Sequence, residues 1–159
     1  MHNLTFKKAT IKDLDLIYNF MLSQAEEERV YLDNLDKKEI KDLFYTKLEI
    51  RKILSSKDNF LLIAQLNKKP IGCGLAKIEK SSKWNKYSKQ GYLGMLYVNK
   101  EYRNKGIAKR LQEERIKWLK SKGIKFVTTW VLLNNKPALN LIKKRGFKPR
   151  LIQMYKELK

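Results

Sequence analysis

The chain has 159 residues, 43% of them hydrophobic, and a formal net charge of +20. This composition excludes a disordered chain and predicts a single globular domain over residues 1–159. Cys73 is the single cysteine and His2 the single histidine, which excludes an internal disulfide and disfavours histidine-based catalysis and metal binding. No apolar run approaches the length of a membrane span, so we expect a cytoplasmic protein that is not inserted in a membrane.

The first part of the chain is predicted to form a strand followed by two helices. Residues 4–10 alternate weakly between apolar and polar side chains, which indicates a strand. Thr10 and Asp13 have the spacing of a capping box, and the apolar residues after them recur with a helical period. Asp36, with a glutamate three residues later, repeats this pattern and begins a second helix that we expect to end near residues 55–59.

The rest of the chain is predicted to alternate between strands and helices. Apolar runs over 60–66 and 71–79 are joined by a short polar turn, which predicts a hairpin, and a further strand follows over 91–98. The later elements are a helix from Ile107, a strand over 125–133, a short helix capped by Asn135 and a last strand over 150–158. The order of strands and helices therefore predicts the α/β fold class, as a mixed α/β single domain.

The segment RNKGIA at 103–108 combines a glycine with cationic side chains where a strand leads into a helix. Gly106 allows a ligand to approach the backbone closely. The N–H groups from Asn104 to Ala108 lie at a helix N-terminus, which suits a diphosphate, and Arg103 and Lys105 flank them. A basic helix cap without a ligand is the alternative interpretation.

Two segments together resemble the GNAT superfamily of N-acetyltransferases. The stretch LYVNKEYRNKGIAKRL is similar to the superfamily's cofactor signature, which is Arg or Gln, two residues, Gly, one residue, then Gly or Ala. The later stretch NNKPALNLIKKRGF resembles its Asn-containing segment that ends in Gly-Phe. The resemblance covers residues 91–150. It implies a GNAT-like α/β fold, in which a mixed, largely antiparallel sheet with splayed central strands is flanked by helices. It also implies direct transfer of an acetyl group from acetyl-CoA to a primary amine.

The resemblance also assigns the residues that bind acetyl-CoA. The diphosphate would be bound by Arg103, Asn104, Lys105, Gly106, Ile107 and Ala108. The pantetheine arm would pair with the backbone of Leu96, Tyr97 and Val98, as a peptide pairs with a strand edge, and Asn135 would contact the same arm. No metal is implied.

The catalytic residues are left unassigned because the chain departs from the family pattern. The family's general-acid tyrosine aligns with Ile142, and the acidic pair of its fourth strand aligns with Gly94 and Met95. Isoleucine, glycine and methionine transfer no proton. Three substitutes are predicted from their positions: Tyr92, Tyr155 and Glu28.

Other functions and partners stay open at this stage. The missing acid and base favour a catalytically weak acyl-CoA-binding module, and the net charge favours a basic nucleic-acid-associated protein. A cationic amine, as a small molecule or a peptide, is the predicted acceptor, because residues 24–36 are locally acidic. Their charged side chains are Glu26, Glu27, Glu28, Asp33 and Asp36 against Arg29. The oligomeric state is open, and a dimer is compatible with the sequence.

Overall fold

The computed structural model describes residues 3–31, 45–154 and 156. Its strands are β1 (Leu4–Lys8), β2 (Asn59–Leu66), β3 (Lys69–Lys80), β4 (Lys89–Val98) and β5 (Val127–Thr128). Its helices are α1 (Leu14–Glu28), α2 (Lys47–Ser55), α3 (Ile107–Ser121) and α4 (Lys136–Lys144). Short 3-10 turns lie over Ile11–Asp13, Arg29–Tyr31 and Lys100–Tyr102.

The strands form one mixed sheet in the order β1-β2-β3-β4-β5. The first four strands are antiparallel neighbours, and β5 pairs in parallel with β4. That last pairing joins only Gly91 to Val127 and Tyr92 to Thr128, although β4 continues to Val98. The predicted mixed, largely antiparallel sheet is confirmed, and its last two strands separate after a short contact.

Different helices pack against the two faces of the sheet. Alternating side chains of β2 point to opposite sides, so Leu61 and Ile63 meet α1 and α2 while Leu62 and Ala64 meet α3. The α1–α2 side contains the cluster Ile17, Phe20, Met21, Ile50, Ile53, Cys73, Leu75, Met95 and Tyr97. The α3 side contains Ile71, Val98, Ile107 and Leu111, with Ala76, Leu93 and Leu119 farther along.

Capping boxes begin the 3-10 turn before α1 and the helix α2, and the predicted second helix is not continuous. The Thr10 backbone N–H donates to Asp13 Oδ2 at 2.9 Å, which confirms the first capping box. In α2 the Thr46 N–H donates to Glu49 Oε2 at 2.7 Å, and the Glu49 N–H donates to Thr46 Oγ1 at 3.2 Å. The start predicted at Asp36 lies outside the described residues. A continuous helix from there is wrong, because residues 45–46 are not helical.

The predicted strands at the C-terminal end are the largest departure from the sequence prediction. The strand predicted over 125–133 is reduced to β5, and Trp130 is 72% exposed beyond it. A last strand over 150–158 is wrong for residues 150–154, which have no regular structure. The short β5 offers almost no edge for a further strand to pair with, and the apolar side chains of Leu151, Ile152 and Met154 are exposed.

Candidate active site

A bulge in β4 shapes the part of the sheet where the family resemblance places the reaction. Gly74 of β3 pairs with Leu96, and Ala76 pairs with Leu93. The two paired positions are therefore three residues apart on β4 but only two residues apart on β3. The extra residue lies at Gly94–Met95 and forms a β-bulge. A Cβ built on Gly94 would lie 3.2 Å from Cε1 of Tyr92. Tyr92 and Gly94 therefore lie on the same face of the sheet.

A buried arginine from α3 binds the backbone at this bulge. Arg115 is 1% exposed, and its Nη1 donates to Leu75 O at 2.9 Å and Met95 O at 3.2 Å. A longer bond of 3.4 Å reaches Gly94 O. Burial lowers the pKa of Arg115 to about 10. The guanidinium donors therefore fix the carbonyl groups that the bulge takes out of the regular ladder.

Past Tyr92, the outer edge of β4 has no strand partner among the described residues. Leu96, Tyr97 and Val98 lie on this stretch, and they pair with β3 only on the inner side. An extended, amide-bearing ligand pairs with such an edge as an added strand does. The structure thus brings the three residues predicted for the pantetheine arm to one open strand edge, while their contact with that arm stays a prediction.

The segment 103–108 leads from this edge to an uncapped helix N-terminus. Gly106 is the N-cap residue of α3, with φ +77° and no side-chain cap, and Asn104 also has a left-handed φ of 60°. A Cβ built on Gly106 would meet no atom within 4 Å. Ile107 is buried, whereas Asn104 and Lys105 are exposed. The first-turn N–H groups and the space over Gly106 fit an anionic ligand.

Arg103 has protein partners of its own in this segment. Its Nη2 donates to both carboxylate oxygens of Glu27 at 2.7 and 2.6 Å, and its Nε donates to Val98 O at 2.8 Å. The guanidinium also lies 5.7 Å from the ring centre of Tyr97. Arg103 thus links α1 to the end of β4, and a contact with the diphosphate stays a prediction.

Asn135, in the second segment of the family resemblance, caps a helix as the sequence predicts. Asn135 precedes α4, and its Oδ1 accepts a hydrogen bond from the Ala138 N–H at 3.1 Å. This side chain therefore fixes the start of α4. Its contact with acetyl-CoA stays a prediction.

Two of the predicted catalytic residues lie on the same side of the sheet. Tyr92 is half-buried, and burial with the nearby Tyr45, Glu79 and Glu28 raises its pKa to about 12. Burial also raises the pKa of Glu28 above its usual range, although Gln24 Nε2 donates to this carboxylate at 2.8 Å. Tyr155 lies outside the described residues.

Lys77 and Tyr45 complete this group, and the sequence analysis missed both. Lys77 stands directly opposite Tyr92 in the β3–β4 register, and its Nζ lies 4.2 Å from the ring centre of Tyr45. Burial lowers the pKa of Lys77, while the carboxylates of Glu79 and Glu49 act in the opposite direction. The hairpin register and the period of two would have placed Lys77 and Glu79 beside Tyr92. We call Glu28, Tyr45, Glu49, Lys77, Glu79 and Tyr92 the acidic–aromatic cluster.

Thiol and metal chemistry find no support in the described residues. Cys73 is fully buried with its Sγ 3.9 Å from Met95 Sδ, and burial raises the pKa of the thiol. Within the described ranges, no group of three or more His, Cys, Asp or Glu side chains is placed to hold a metal ion. The described helices include none that is long and apolar enough to cross a membrane.

Comparisons with known proteins agree with this geometry. Residues 18–147 match the acetyltransferase (GNAT) family. A predicted acetyltransferase with acetyl-CoA from Clostridium acetobutylicum is 22% identical, with a TM-score of 0.74 over 98% of this chain and 96% of that chain. A GCN5-related N-acetyltransferase from Ralstonia eutropha is 18% identical, with a TM-score of 0.78 over 98% and 99%. An aminoglycoside acetyltransferase from an uncultured soil sample, in complex with sisomicin, is 16% identical, with a TM-score of 0.69 over 98% and 97%.

Proposed function

Because the chain belongs to the acetyltransferase (GNAT) family, we propose that it transfers the acetyl group of acetyl-CoA directly to a primary amine. One observation carries this proposal: the open edge of β4 is followed, after the 3-10 turn at Lys100–Tyr102, by the uncapped N-terminus of α3. An arm that pairs with Leu96–Val98 would place its diphosphate over Gly106. A similar structure from Clostridium acetobutylicum contains acetyl-CoA, which supports the choice of donor.

The proposed reaction forms a C–N bond and breaks the C–S bond of the thioester. The amine nitrogen attacks the carbonyl carbon, and the sulfur leaves as the CoA thiolate. An ammonium acceptor releases two protons in total: one joins the thiolate, and the other reaches solvent. Proximity at the bulge supplies part of the acceleration, as does hydrogen bonding to the developing oxyanion.

We assign the proton transfers to Glu28 and Tyr92. The pKa of Glu28 is raised towards neutral pH, so its carboxylate is a stronger base towards the ammonium group than an ordinary glutamate is. With a pKa of about 12, Tyr92 stays protonated at neutral pH and acts as a hydrogen-bond donor to the departing sulfur. These two roles replace the acid and base that Ile142 and Gly94 lack.

The proposed acceptor is a cationic amine, and the acidic–aromatic cluster supports this choice. Among the carboxylates predicted to attract it, Glu27 is paired with Arg103 and Glu26 lies 3.3 Å from Arg29. The carboxylate of Glu28 instead lies close enough to Tyr92 to raise the pKa of its hydroxyl. Carboxylates beside tyrosine rings suit an ammonium group. The similar structure bound to sisomicin, an aminoglycoside, is consistent with an acceptor that carries several amines.

A panel of amines tests the proposal. Release of the CoA thiol and the mass of the product would be measured with cationic, neutral and anionic primary amines, with acetyl-CoA affinity measured alongside. We expect acetylated product from the cationic amines. Binding of acetyl-CoA without turnover of any amine would favour the alternative of an acyl-CoA-binding module, which the isoleucine at position 142 suggests.

A further inference from the structure

Gln112 is a buried amide on α3 whose polar atoms have no partner. The side chain is 1% exposed, and neither its Oε1 nor its Nε2 makes a hydrogen bond within the described part of the chain. Buried amides are nearly always paired, because an unpaired one loses its bonds to water without replacement. A ligand that supplies a donor and an acceptor would pair both atoms.

The direction of Gln112 follows from its neighbours on α3. Leu119 packs against β4, since a Cβ built on Gly91 would lie 2.7 Å from its Cδ1. Ile116 packs in the cluster that contains Val127 of β5. Around the helix axis, Gln112 lies about 20° from Leu119 and about 40° from Ile116. It therefore faces the gap between β4 and β5.

The height of Gln112 along that gap follows from the contacts of α3 with β4. The helix runs antiparallel to the strand, because Leu119 packs at Gly91, whereas Leu111 packs in the cluster that contains Val98. Arg115, between them, binds the bulge carbonyls of β4. Gln112 lies between Arg115 and Leu111, so it is level with the open edge at Leu96–Val98.

We propose that the side-chain amide of Gln112 binds an amide group of the pantetheine arm of acetyl-CoA. This inference rests on the proposed function, which places that arm along Leu96–Val98. The arm carries secondary amides, each with one N–H donor and one carbonyl acceptor, and the glutamine amide offers the complementary pair. Gln112 acts as a binding and positioning residue, and it transfers no proton.

The test replaces Gln112 by methionine, which has similar volume and no amide. Calorimetry would measure the affinity for acetyl-CoA and for adenosine bisphosphate, which has the nucleotide but no pantetheine arm. Gln112→Met should raise the Kd for acetyl-CoA roughly tenfold, which corresponds to about 1.4 kcal/mol, and leave the Kd for the nucleotide unchanged. The melting temperature should hold or rise, because an unpaired buried amide is removed.

A matched variant and three outcomes make the test decisive. Ile116→Met exchanges one apolar side chain for another on the next turn of α3 and should leave both affinities unchanged. An unchanged Kd for acetyl-CoA in Gln112→Met would overturn the inference, and so would an equal loss for both ligands. Wild-type protein that binds neither ligand would overturn the proposed function itself.

Discussion

Replacing Gly106 by valine is the sharpest test of the proposed diphosphate site. Valine is strained at the observed φ of +77°, which should cost about 1–2 kcal/mol of folding stability. Its side chain would also occupy the open space over the backbone N–H groups. Loss of two charge-assisted hydrogen bonds, at about 1.5 kcal/mol each, would weaken acetyl-CoA binding roughly 150-fold.

Gly123 provides a matched control for the backbone strain. It lies just beyond the opposite end of α3, a helix about 22 Å long, with a φ of +75° and no atom within 4 Å of a built Cβ. Gly123→Val should therefore lose similar stability in thermal denaturation and keep wild-type affinity in calorimetry. Equal affinities in the two variants, with both folded, would refute a diphosphate site at Gly106.

Further predictions concern the acidic–aromatic cluster and the bulge. Glu28→Gln should lower turnover of a cationic amine. It should also raise the melting temperature at neutral pH. The pKa of Glu28 is raised in the folded protein, so the wild-type protein loses stability as the pH rises from the ordinary pKa of 4.5 through the folded pKa, and glutamine removes this loss. Lys77→Met removes the ammonium from the cluster and should lower the KM for a cationic amine severalfold. Arg115→Met leaves the bulge carbonyls without their donors and should cost about 2 kcal/mol in urea denaturation, with slower turnover.

Each of these predictions has a result that would contradict it. A wild-type pH profile of stability in Glu28→Gln would show that this carboxyl has an ordinary pKa in the folded protein. A higher KM in Lys77→Met would mean that the lysine itself contacts the acceptor. Unchanged stability in Arg115→Met would mean that the bulge keeps its shape without the guanidinium.

Local chemical patterns accounted for most of the elements that the sequence predicted correctly. The capping box at Thr10 and the cap at Asn135 depend on residues a few positions apart, so both were visible in the sequence. The prediction of one continuous helix up to residues 55–59 was wrong because a second capping pattern lies within that segment, where Thr46 and Glu49 form the box that begins α2. Apolar runs predicted the C-terminal strands, but strands also need an edge to pair with, and β5 provides almost none.

The candidate site was predictable only in its local part. The segment 103–108 is contiguous, so its glycine and cations pointed to an anion site without any knowledge of the fold. The pairing of Arg103 with Glu27 joins positions far apart in the chain, and no local pattern indicates it. Arg115 and Gln112 left a weaker signal, as polar residues on the apolar stripe of α3. Their roles depend on the register of β3 and β4, which places the bulge beside the helix.

Acetyl transfer by the purified protein can be measured directly. Acetyl-CoA would be mixed with an amine that carries several ammonium groups, such as sisomicin, and both free CoA and acetylated amine would be quantified by mass spectrometry. We expect equal amounts of the two products, formed in proportion to the protein and lost in Gly106→Val. Acetyl-CoA that binds tightly, yet yields no acetylated product with any amine of the panel, would contradict this expectation.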